Sequence, residues 1–227
     1  SSTYIYSFFT LLSRVLGYLR DILIAIFLGA SIFADAFFVA FRLPNTFRRL
    51  FAEGTFNAAF IPSYVSAKTH DQKRGKKFAD DVLSILIFVL ILIILLVEIF
   101  TPYLVYLIAP GFFDNTEKFS LAVEFTRITF PFLLFVSLSS FFGAILNSHN
   151  KFAAASGAPI ILNLVLIGIL FFGKILNDEL IYYLSYGVSI AGFLQLIFLY
   201  KFVNKFHSFR FNFNFKINTK AKLFFKK

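Results

Sequence analysis

Apolar positions along this chain gather into six long runs, at roughly 8–29, 34–64, 82–109, 121–146, 154–173 and 180–203. Each is long enough to cross a hydrocarbon layer as a helix, which takes about 20 residues. The third run is the purest: "VLSILIFVLILIILLV" places apolar or small residues at every position before Glu98. The period-two alternation of an outer-membrane barrel is absent from these runs. The pattern predicts an all-α polytopic membrane protein with six transmembrane helices. None of the runs reads as a cleavable signal peptide, because no small-residue cleavage site follows a short apolar region.

Composition sharpens that picture. The chain has 227 residues, is 59% hydrophobic, has a mean hydropathy of +0.79 and is only 15% charged, against about a quarter in an ordinary soluble domain. A soluble fold of this size has too little interior to hide so much apolar surface. The 36 phenylalanines fit a biased overall composition better than an aromatic binding site. Cysteine is absent, which excludes disulfides, thiol nucleophiles and cysteine metal sites. His70, His149 and His207 fall in predicted loops without partners at metal-ligand spacing. Nothing resembles a phosphate-binding Walker loop, a zincin helix or a serine-hydrolase elbow, so neither an enzyme nor a resident cofactor is expected.

Loop charge orients the bundle. The connection after the second run, "AKTHDQKRGKKF", carries Lys68, Lys73, Arg74, Lys76 and Lys77; Lys151 follows the fourth run. The segment 204–227 adds Lys205, Arg210, Lys216, Lys220, Lys222, Lys226 and Lys227. The opposite loops hold only Lys118 and Lys174, beside Asp114, Glu117, Asp178 and Glu179. The positive-inside rule then places both chain ends in the cytoplasm, in keeping with an even number of spans. The net charge of +10 is mostly this asymmetry, which suits an anionic leaflet rather than nucleic acid. Residues 1–203 are expected to form one six-helix lobe and 204–227 a basic cytoplasmic or interfacial tail.

The polar residues inside the first two runs carry the chemistry. Arg14, Arg20, Asp21, Asp35, Arg42, Arg48, Arg49 and Glu53 all lie there, whereas the other four runs hold only Glu98, Glu124 and Arg127 away from their ends. A charge at mid-bilayer costs at least about 2.5 kcal/mol, so such residues face partners or a water-filled cavity. On a helical wheel Arg14, Gly17 and Asp21 fall within about 60°, with Arg20 about 120° from Arg14. Asp35, Arg42, Asn45, Arg49 and Glu53 share a sector of about 80°, and Arg49 and Glu53 can pair four apart. Pro44 shifts the phase of every later position on that helix, so the wheel does not choose between Arg48 and Arg49. Snorkelling of Arg14 to the interface, and neutralisation of neighbouring charges by Arg20 and Asp21 simply to hold helices together, are the plainer alternatives. Arginines outnumber carboxylates in this block, and their forked donors suit phosphate and carboxylate groups. A cationic cavity for an anionic, phosphorylated substrate is the expectation.

"SRVLGYLRD" followed by "GASIFADAFFVAFRLPNTFRRLFAEGTFNAAFIPSY" closely resembles the opening of the MurJ (MviN) family, bacterial lipid II flippases of the MOP superfamily. "FPFLLFVSLSSFFGAILNSHNKFAAASGAPIILNL" extends the likeness over essentially the whole chain. The resemblance implies a flippase that carries the undecaprenyl-pyrophosphate-linked peptidoglycan precursor, lipid II, across the inner membrane by alternating access. It implies that Arg14, Arg20 and Arg48 match the family's cavity arginines and that Asp35 matches its acidic residue at the start of the second helix. Asp21, Asn45, Arg49 and Glu53 belong to the same motif block. Family members have fourteen helices in two lobes, so this chain would be the N-terminal lobe. A missing second lobe would carry the sodium site and the lipid-tail groove, leaving this chain alone unable to flip. The other readings are a polysaccharide-unit flippase or multidrug antiporter of the same superfamily, a non-transporting envelope scaffold, or an enzyme acting on polyprenyl phosphates. An antiporter would favour carboxylates, and the enzyme acidic metal ligands or a His/Asp pair.

Overall fold

The computed structural model describes residues 2–51, 55–173 and 179–209, with the side chains of 2–3, 48–51 and 55–57 outside that description. Helix α1 spans Ser2–Leu28, α2 Ile32–Phe51, α3 Thr55–His70 and α4 Gln72–Ile108. A short 3-10 turn, Pro110–Phe112, leads to α5 at Thr116–Thr129 and α6 at Phe132–Ser148. Helices α7, Phe152–Phe171, and α8, Leu180–Val203, follow. The described residues form no strand.

Local chemistry sets the joints. Gly29 stands at φ +58°, the left-handed conformation that ends a helix at least cost with glycine. Its amide donates to the Ala25 carbonyl, and two residues on the Ser31 hydroxyl accepts from the Ala34 amide, opening α2. Asp71 caps α4 by accepting from the Lys73 amide at 2.9 Å.

The basic connection "AKTHDQKRGKKF", expected as a loop, is instead almost wholly helical. It is a tight hairpin in which α3 runs to His70 and α4 starts at Gln72. Gly75 permits the hairpin: a β-carbon there would lie 2.9 Å from the Lys68 α-carbon. The two flanking helices thus consume residues that charge alone marked as solvent-loving.

Two expected spans are also divided. The run at 34–64 contains the end of α2 and the start of α3. The run at 121–146 breaks at Phe130–Pro131, between α5 and α6, because proline has no amide to donate and its ring crowds the preceding turn. In α4, Pro102 has the same effect more mildly: Phe100 leaves helical geometry, at φ −99° and ψ 15°. The Thr101 hydroxyl donates to the Val97 carbonyl at 2.6 Å and to that of Glu98 at 3.2 Å. It thereby supplies the Glu98 carbonyl that the proline deprives.

Helices α4, α5 with α6 over Thr116–Ser148, α7 and α8 are long and apolar enough to cross a membrane. The first two expected spans do not meet that measure among the described residues, although α1, with 27 residues, reaches about 40 Å. Their internal charges are the reason. Helix α6 is the hub, with Phe132, Leu133, Phe141 and Ile145 almost fully buried. Gly187 and Gly192 on α8 bring it close to α7 and α6: a β-carbon at 192 would stand 2.5 Å from Phe132 Cδ2. Outward, α4 displays Ile99, Tyr103 and Leu107 at 67%, 74% and 77% exposure, a surface that only lipid makes favourable.

Two histidines expected in loops prove to be tied down. The His149 Nδ1–H donates to the Ile145 carbonyl at 2.9 Å, leaving Nε2 to accept from Lys68 Nζ, also at 2.9 Å. His207, 1% exposed, lies with Nε2 at 2.7 Å from Asp80 Oδ1. Both contacts fasten helix ends at the α3–α4 hairpin.

Candidate functional site: a basic cavity between α1, α2 and α7

A cavity of about 520 Å³ opens between three helices. Helix α1 contributes Gly17, Arg20 and Asp21, α2 Phe38, Phe41, Arg42 and Asn45, and α7 Pro159, Leu162 and Asn163. Its charged lining is two arginines against one aspartate, so it is net positive.

Arg20 is held from several directions. Its Nε and Nη2 donate to Asp21 Oδ1 at 2.9 and 2.7 Å, and Nη1 donates to Asn163 Oδ1 at 2.9 Å. The guanidinium also lies 5.3 Å from the centroid of the Phe41 ring, a cation–π arrangement. Arg20 is 13% exposed while Asp21 is 56% exposed. A guanidinium has about five N–H donors, and three are engaged here, so two stay available to an incoming oxyanion. Asn163 is itself fixed, its Nδ2 donating to the Ser13 carbonyl at 2.9 Å. It is 5% exposed, and it bolts α7 to α1.

Arg42 is exposed and lines the same cavity. Among the described residues its guanidinium has no ion pair. Asn45 donates from Nδ2 to the Phe41 carbonyl at 2.9 Å, fixing its amide against α2.

The sequence candidates therefore separate. Arg20, Asp21 and Asn45 come together in the cavity. Arg14 is exposed on α1, outside the cavity lining and without a hydrogen-bond partner among the described residues. Asp35, near the start of α2, accepts from Lys118 Nζ at 2.5 Å, and that ammonium stands 4.3 Å from the Phe112 ring. This pair ties α2 to the start of α5, away from the cavity. The side chains of Arg48 and Arg49, and the whole of Glu53, lie outside the described residues.

Arg42 is among the residues that the sequence singles out, and one polar lining residue, Asn163, falls outside them. Arg42 shares the α2 sector with Asn45, a signal visible in the spacing. Asn163 stands alone among apolar neighbours in "PIILNLVLIG". An isolated amide inside a span marks an interhelical hydrogen bond, but its partner lies 143 residues away.

Fold and site together define a multi-pass, all-helical membrane protein whose first two helices present arginines to a polar cavity. The chain belongs to the MurJ family: the family model "Lipid II flippase MurJ" matches residues 24–227. A protein of Rhizobium tropici described as a probable lipid II flippase MurJ is 44% identical over 196 residues, covering 84% of this chain and 37% of that protein. A counterpart in Rickettsia prowazekii is 42% identical, covering 88% of this chain and 39% of its own length. The solved structure "Lipid II flippase MurJ, inward closed conformation" superposes with a TM-score of 0.78 at 27% identity. It covers 97% of this chain and 46% of the solved one. The chain thus spans about two-fifths of the length of these curated relatives.

Proposed function

We propose that this chain forms the first lobe of a lipid II flippase, which moves the undecaprenyl-pyrophosphate-linked peptidoglycan precursor between leaflets of the inner membrane. The observation that carries the reading is Arg20: oriented by Asp21 and Asn163, it keeps two donors for a phosphate, beside an Arg42 without an ion pair among the described residues. Bidentate recognition of a pyrophosphate requires a guanidinium held in this manner. Among the described residues, the one carboxylate lining the cavity, Asp21, is already committed to Arg20. That favours an anion carrier over a proton- or sodium-coupled antiporter of cationic drugs.

In this reading the basic α3–α4 hairpin and both chain ends face the cytoplasm, the cavity loads from that side, and a second lobe supplies the facing wall. The reaction is transport without bond cleavage. The test is translocation of lipid II by the full-length protein in cells depleted of their own flippase. Arg20→Lys is expected to lose most of the activity despite keeping the charge, because an ammonium cannot reproduce the fork. Wild-type translocation by Arg20→Lys and by Arg20→Ala would refute the assignment.

A further inference from the structure

A second cavity, of about 210 Å³, lies within the helix bundle beside the basic one. Asn45, Pro159 and Leu162 line both, so the two spaces adjoin across a shared wall. Their chemistry differs. The second is lined by Asn45, Ser139, Ser140, Asn147 and Gln195 among apolar residues, and no lining residue bears a formal charge. Ser139 is 5% exposed and its Oγ has no hydrogen-bond partner, and Asn147 Oδ1 is likewise buried and unpartnered among the described residues. Gln195, 3% exposed, adds a second amide. Buried hydroxyls and amides are nearly always hydrogen-bonded in folded proteins. An apolar core whose internal space is edged by hydroxyl and amide side chains is a site shaped for something that forms hydrogen bonds.

We propose that this uncharged pocket is a subsite for a sugar ring, taking its hydroxyl and acetamido groups while the neighbouring arginines hold the anion to which the sugar is attached. The proposal rests on the basic cavity being the pyrophosphate site. Three features select a glycan. Amide side chains donate and accept at once, as vicinal hydroxyls and acetamido groups do. The pocket holds no cation to compete for the phosphate. Its volume, equivalent to about seven waters at liquid density, suits one pyranose ring. The pairing gives the protein a way to tell a loaded carrier lipid from the bare one: both satisfy the arginines, and only the loaded one satisfies the amides.

Binding of two probes to the full-length protein in lipid nanodiscs tests this: lipid II, and undecaprenyl pyrophosphate without sugar. Asn147→Leu and Gln195→Leu are expected to weaken lipid II about tenfold and to leave undecaprenyl pyrophosphate within about twofold. Arg20→Ala is expected to weaken both. If the leucine variants affect both probes equally, or neither, the pocket is a hydrated structural feature and the subsite is overturned. If Arg20→Ala affects neither probe, the pyrophosphate reading fails on its own account. Ser139→Ala, which removes only an unpartnered hydroxyl, decides by the same comparison if a leucine variant does not fold; thermal unfolding of each variant identifies that case.

Discussion

Replacing Asn163 by leucine isolates the positioning of Arg20 from its charge. The substitution keeps the forked outline of the side chain but removes two hydrogen bonds, Arg20 Nη1 to Asn163 Oδ1 and Asn163 Nδ2 to the Ser13 carbonyl, both 2.9 Å. A hydrogen bond to a charged group contributes about 1.5–3 kcal/mol and a neutral one about 0.5–1.5 kcal/mol. Arg20 is 13% exposed, so water entering from the cavity recovers part of the first, and the net loss of stability should be about 2 kcal/mol. For ligand binding the guanidinium keeps Asp21 but regains freedom to rotate. Restoring the fixed orientation on binding should cost about 1–1.5 kcal/mol, close to tenfold in Kd. The assay is titration of undecaprenyl pyrophosphate onto the full-length protein, with thermal unfolding alongside. A variant that binds as tightly as wild type, while Arg20→Ala loses binding, would show that Arg20 needs no orientation from α7 and would refute the reasoning.

Other outcomes derive from the same geometry. Arg42→Ala should reduce affinity for undecaprenyl pyrophosphate several-fold with little change in thermal stability, since among the described residues its guanidinium has no ion pair to lose. Lys118→Ala breaks the Asp35 tie between α2 and α5; with Asp35 54% exposed, the stability loss should stay below about 1 kcal/mol, and pyrophosphate binding should be unchanged in the same titration. Gly192→Ala puts a β-carbon 2.5 Å from Phe132 Cδ2 and 3.2 Å from Phe135 Cβ, and should cost about 1–3 kcal/mol in unfolding experiments. Thr101→Val removes the hydroxyl that serves the Val97 and Glu98 carbonyls and should lower the melting temperature by the equivalent of about 1 kcal/mol.

Much of this fold is legible in the sequence because lipid imposes simple rules. Apolar run length marks α4, α7 and α8, and charge in the connections marks the hairpin end. The divisions are harder to see. Both sides of Phe130–Pro131 are apolar, so hydropathy runs on where hydrogen bonding stops. At Lys68–Lys77 the reverse holds, since a charged stretch outside the hydrocarbon continues as helix once Asp71 caps it. At the site, local spacing gathers Arg20 with Asp21 and Arg42 with Asn45, which share helices. It has no means of revealing that Asn163 completes the set from α7, or that Lys118 claims Asp35 from 83 residues away.

The reach of α4 has a further consequence. With 37 residues it follows about 55 Å of helical path, counted across its kink at Phe100, against a hydrocarbon layer of about 30 Å. Its first turns, braced by α3 through Gly75, would therefore stand clear of the acyl chains and hold the exposed Lys73, Arg74, Lys76 and Lys77 at headgroup level. A long helix anchored this way, bent only near Phe100, works as a depth gauge. In a thicker or thinner bilayer it tilts or slides while its charges stay pinned to the phosphates, and α6, packed against it, is carried along. The vertical setting of the lobe is thereby coupled to the thickness and anionic content of the membrane around it.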